Sequence, residues 1–133
     1  MGNVAENLAA VEARIKSACT RVGRDPSEVR LLPVSKSQSM ELIAEAYEAG
    51  IRLLGENRVQ EAAEKARHFA DRPDLKWAII GHLQTNKARQ VAAIASEFHA
   101  LSSIRVASAL DQALDDQGRS LDVFLQVNSS GEP

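Results

Sequence analysis

Long apolar runs, paired cysteines and a strong charge of either sign are all missing from this sequence, and aromatic residues make up only 4% of it. No stretch approaches the roughly 20 apolar residues that a membrane-spanning helix needs. The single cysteine, Cys19, excludes an intrachain disulfide and fits a reducing compartment. A net charge of −2 leaves no basic stripe for nucleic acid and no polybasic face for an anionic membrane, so neither is an expected partner. His68, His82 and His99 lack metal-ligand spacing, so no metal site is expected. No Gly-x-Gly-x-x-Gly follows any apolar run, which removes support for a dinucleotide-binding open sheet. The amino-terminal stretch carries Glu6 and Glu12, and it is amphipathic rather than a signal peptide. Met1-Gly2 could open a myristoylation motif, but Glu6 stands where that motif needs Ser or Thr. The expected location is the cytoplasm.

What is present has ordinary globular composition, with 44% hydrophobic and 26% charged residues. The 133 residues suffice for one compact domain spanning 1–133. Its first element, within residues 1–23, is a helix: Val4, Leu8, Val11, Ile15, Ala18 and Val22 recur at spacings of four and three. Asn3 can cap that helix with Glu6 as reciprocal partner, and Gly23 ends it.

A repeat occupies residues 30–133. Apolar runs begin at Arg30, Arg52, Lys76, Glu97 and Leu121, spaced 21 to 24 residues apart. Between them lie Ala-rich segments of helical period, marked by Ile43 and Ala46, by Ala62 and Ala66, by Val91 and Ala95, and by Leu110 and Leu114. A strand followed by a helix at this interval is the unit of a parallel α/β sheet. Five such strands suit an open doubly wound sheet or five-eighths of a closed (β/α)8 TIM-type barrel.

In both architectures the chemistry lies beyond the carboxyl ends of the strands. Those ends read Ser35-Lys36-Ser37, Gly55-Glu56-Asn57, Gly81-His82-Leu83-Gln84, Ser102-Ser103 and Asn128-Ser129-Ser130-Gly131. Each alone is explained by turns and helix caps; together they favour a shared site. Lys36 follows the apolar run Leu31-Leu32-Pro33-Val34. Placed at the inner rim, its amine would be partly desolvated and able to attack an aldehyde. An ordinary solvated lysine is the other reading, and position alone leaves both open.

Four motifs in order then carry a resemblance. Leu32-Pro33-Val34-Ser35-Lys36, Gly55 through Glu61, Ile80 through Lys87, and Gln126 through Glu132 are similar to the motifs of the pyridoxal phosphate homeostasis proteins. These are single-domain relatives of the alanine racemase N-terminal barrel. The resemblance implies a fold-type III barrel that binds pyridoxal 5′-phosphate as a Schiff base on Lys36. It further implies that Asn57, His82, Asn128 and Ser130 line the cofactor, with Gln84 and Asn86 in the same third motif. It implies intracellular cofactor homeostasis, with pyridoxal-phosphate-dependent apoenzymes as possible clients, a monomer at full length and no defined catalytic reaction.

The chain departs from the family in two ways. Gln38 and Ser39 stand where members commonly carry a basic residue and a proline. Full members also continue for about another hundred residues, in keeping with the length of a closed barrel. That portion supplies the main phosphate cradle, so weak aldehyde capture is the expectation for these 133 residues alone.

Three other readings stay open. A racemase-like enzyme needs a second base, and the only tyrosine, Tyr47, falls on the helix after the first run. A cofactor-free Schiff-base aldolase would also use a strand-end lysine. An inactive fragment would expose its last strand and associate through that edge.

Overall fold

The computed structural model describes residues 3–133; Met1 and Gly2, and the myristoylation comparison with them, lie outside the described residues. Helix α1 (Val4–Arg21) begins where expected, with the Asn3 side chain accepting the Ala5 N–H at 2.8 Å. Its apolar stripe is only partly covered. Cys19 is buried, whereas Val11 and Val22 remain exposed.

The repeat then follows as α2 (Met40–Glu48), β1 (Leu53–Glu56), α3 (Val59–His68), β2 (Lys76–Ile79), α4 (Ala88–Ile94), β3 (Ala95–Leu101), α5 (Ile104–Gln117) and β4 (Asp122–Leu125). Gly50 and Gly118 end α2 and α5 at φ 104° and 63°, backbone that L side chains avoid. Ser103 caps α5 by accepting the Val106 N–H.

Two expectations are corrected. The run beginning at Arg30 is an edge segment rather than a full strand, joined to β1 by one parallel bridge, Val34 to Gly55. Pro33 lies inside it and has no N–H to donate, so pairing reduces to Gly55 N–H to the Pro33 carbonyl and Ser35 N–H to the Gly55 carbonyl. Ala95, placed by its spacing on the fourth helix, is instead the first residue of β3, in register with Trp77. No glycine or proline separates α4 from β3, so the boundary carries no local signal.

All the strand pairs are parallel, and the sheet order is β1-β2-β3-β4, with the edge segment outside β1. Each new strand is added on the same side of the last. A doubly wound sheet reverses direction at a switch point; a barrel does not. The order is that of a barrel wall.

Alternate strand residues pack under the helices. Leu54, Trp77 and Phe69 gather in one cluster, and Ile79, Phe98, Val91 and Leu110 in a second. Burying each such large side chain stabilises the fold by roughly 1.5–3 kcal/mol. The intervening residues Gly55, Ala78 and Glu97 therefore face the other, concave side. There Arg30 reaches Glu97 with a two-pronged ion pair, Nη2 to Oε1 at 2.9 Å. The two residues belong to the edge segment and to β3, three strand positions apart. A flat sheet would separate such chains by about 14 Å, so the pair marks a wall curved round its bore.

Candidate functional site

The edge segment supplies Lys36. Val34 lies on the concave face, within van der Waals reach of where a side chain on Gly55 would stand. Ser35 is turned the other way, buried under α3. Lys36 follows in the turn at the carboxyl end of the edge segment. Its side chain is exposed. The partial desolvation expected from the preceding apolar run is therefore not found among the described residues, where that run pairs with β1 alone.

Lys36 sits in a tight turn, closed by the Gln38 N–H donating to the Ser35 carbonyl at 3.0 Å. Ser37, the third residue of the turn, has φ 61° and is the one left-handed non-glycine among the described residues. Such a conformation costs an L residue about 1–2 kcal/mol and persists only where the surroundings enforce it.

The surroundings are a buried ionic cluster. Lys65 of α3 is 3% exposed and Glu56 at the end of β1 is fully buried. The Lys65 ammonium donates to the Ser35 carbonyl at 2.6 Å and to the Glu56 and Glu61 carboxylates at 2.8 Å each. The Ser35 hydroxyl donates to Glu56, and the Ser37 N–H donates to Glu61 at 2.7 Å. The Lys65 bond, and next the Ser37 amide, hold the Glu61 carboxyl below the ordinary carboxylate range. Removing one partner from such a buried pair costs about 3–5 kcal/mol, since it strands the other charge.

A cleft of about 400 Å³ opens beyond the carboxyl ends of β1 and β2. Asn57, Gln60, His82, Gln84, Arg58 and Lys87 supply its polar lining, and Leu83 and Ile79 form part of its floor. Two loops meet there through Gly81: a Cβ at that position would collide with the Asn57 backbone carbonyl and side-chain amide. Asn57 and His82 both line this cleft, and Gln84 joins them.

Lys36, Asn128 and Ser130 do not line this cleft. Asn128 is occupied by its own loop, where its Oδ1 accepts the N–H groups of Gly131 at 3.0 Å and Glu132 at 3.1 Å. Ser130 is exposed in the same loop. Ser39, at the family's proline position, caps α2 by accepting the Leu42 N–H at 3.2 Å.

A parallel wall in sequential order agrees with the family whose model matches residues 7–132, described as alanine racemase, N-terminal domain. The chain belongs to that family. It is 42% identical over 134 aligned residues to the pyridoxal phosphate homeostasis protein of Escherichia coli K12, a match covering 99% of this chain and 57% of that protein. The protein of the same name from Pseudomonas aeruginosa is likewise 42% identical, over 132 residues. The chain therefore spans 57% of the length of these curated relatives.

Among solved structures, PipY of Synechococcus elongatus with PLP bound superposes at a TM-score of 0.83 with 40% identity, covering 97% of this chain and 56% of PipY. An unknown protein from Bifidobacterium adolescentis superposes at 0.89 with 31% identity, covering 98% of this chain and 56% of its own. These likenesses agree with the barrel reading of the sheet: the fold is part of a TIM-type barrel of the alanine racemase N-terminal kind.

Sequence reasoning missed Lys65, Glu61 and the buried role of Glu56. A signal existed in Glu61 and Lys65, an i,i+4 pair of opposite charge on α3. A carboxylate ending an apolar strand was the other.

Proposed function

We propose that this chain binds pyridoxal 5′-phosphate with Lys36 as the covalent anchor and serves cofactor homeostasis in the cytoplasm, supplying or buffering the cofactor for dependent apoenzymes rather than catalysing a defined reaction. The observation that carries this reading is the place of Lys36: an exposed amine on a held turn at the carboxyl end of a parallel barrel wall. The donor set suits the cofactor. The amine matches its aldehyde, and the amides, imidazole and cations of the cleft beyond β1 and β2 match its ring substituents and phosphate ester. When bound, the cofactor supplies an electrophilic carbonyl carbon. Lys36 would hold it covalently through its amine, and Asn57 and His82 would line it. Support also comes from the relatives named for pyridoxal phosphate homeostasis and from PipY with PLP bound. Asn57 and His82 are the proposed lining residues in the cleft; Asn128 and Ser130 would join them from the loop after β4.

Racemase-like turnover is the weaker reading. It needs a second base opposite the lysine. The Tyr47 hydroxyl donates to Asp74 at 2.7 Å, and that bond raises its titration above the ordinary phenol range. Asp74 and the adjacent Arg52 precede β2 and β1, so Tyr47 lies at the amino ends of the strands, the far side from Lys36.

The test is borohydride reduction after incubation with pyridoxal phosphate, followed by peptide mapping. The pyridoxyl group is expected predominantly on Lys36 and is lost in Lys36→Ala. Labelling spread evenly over Lys16, Lys76 and Lys87 would refute the anchor.

A further inference from the structure

The turn around Lys36 is gripped by groups that its proposed role as anchor leaves unused. Three bonds reach it from one ionic cluster: Lys65 to the Ser35 carbonyl, Ser35 hydroxyl to Glu56, and Ser37 N–H to Glu61. They fall on the residues either side of Lys36. The lysine's neighbours are fixed by groups of β1 and α3 while its own side chain is exposed. Ser37 is held in the left-handed region, which strains a residue other than glycine.

We infer that Glu61, acting with Lys65 and Glu56, is a positioning device for Lys36: the cluster enforces the strained Ser35–Lys36–Ser37 turn and so presents the amine in one orientation for aldehyde capture. This rests on Lys36 being the anchor. With the flanking backbone fixed, only side-chain torsions remain to be ordered when the amine meets a carbonyl. A loose edge segment, bridged to the sheet at a single residue pair, would otherwise leave the lysine to wander. The geometry also separates the roles within the cluster. Glu56 neutralises Lys65 in the interior and takes the Ser35 hydroxyl, and Glu61, with 29% of its side chain exposed, is the arm that holds Ser37.

Glu61→Gln in the full chain is the deciding variant, because Glu56 remains to balance Lys65. The readout is the ratio of borohydride-trapped pyridoxyl adduct on Lys36 to that on Lys16, an internal reference on α1. Amide exchange at Ser37 without cofactor is measured in parallel, with circular dichroism to confirm folding. The ratio is expected to fall by about fivefold or more, and Ser37 exchange to quicken. A purely structural role would lower the urea midpoint and leave the ratio alone; a folded Glu61→Gln chain with the wild-type ratio overturns the inference. If Glu61→Gln does not fold, Glu61→Asp decides. It keeps the negative charge beside Lys65 but draws the carboxylate back from the Ser37 N–H, and a ratio lowered by about twofold or more supports positioning while an unchanged one overturns it. Absence of any Lys36 preference in the wild-type chain would instead remove the anchor itself, a distinct failure.

Discussion

At Gly81 the absence of one methyl group lets the loops after β1 and β2 meet. A Cβ there would press on the Asn57 carbonyl, which is backbone and cannot swing aside. Gly81→Ala is expected to cost about 1–3 kcal/mol through overpacking, seen as a lower urea midpoint at unchanged slope. It should also displace Asn57 from the cleft that it shares with His82. The glycine was visible in the sequence as part of a motif, but its collision partner was not. Lys36 presents the same contrast. Its place at a strand end was legible, and its proposed anchoring role came with the resemblance; its exposure, and the cluster beneath it, were not legible. Lys65 lies 30 residues from the Ser35 carbonyl it binds, and no local pattern links the two.

Among the elements, the edge segment and β3 depend on one another through charge. Arg30 and His99 both contact the Glu97 carboxylate, which lies almost wholly out of solvent. The Arg30 bond first, with help from His99, holds the Glu97 carboxyl below its ordinary range despite opposing desolvation. A carboxyl whose folded value is depressed stabilises the fold above its unfolded value, near 4.5, and loses that contribution as pH falls through the lower folded value. Stability measured by urea should therefore decline as pH drops below about 5. Glu97→Gln is expected to cost about 1–2 kcal/mol at neutral pH, since a charge-assisted partner is lost, and to flatten that acid limb. An unaltered acid limb would count against the pair. The helix faces in this layer were readable from period alone. The short edge segment was foreshadowed by Pro33, whereas the early start of β3 at Ala95 had no marker, because alanine suits either state.

For the whole molecule, the consequence of a partial wall is an open side. β4 pairs with β3 only, among the described residues, and Val123, Phe124, Leu125 and Val127 are exposed on and beyond it. A parallel strand left with free N–H and C=O groups and apolar side chains is a template for pairing. Sedimentation of the 133-residue chain is expected to show association that grows with concentration and is suppressed by Leu125→Lys. A monomer at every concentration would mean that the edge is protected.

Repeat length, helix faces, the polar strand ends and Lys36 were determined by the sequence itself, because each depends on residues within a few turns of one another. Barrel rather than doubly wound order, the inward Arg30–Glu97 tie and the clamp of Lys65 on the Lys36 turn were decided only by the tertiary structure. Strand order and buried charge pairing join residues 20 to 70 positions apart, and those meetings exist only after the chain has curved back on itself.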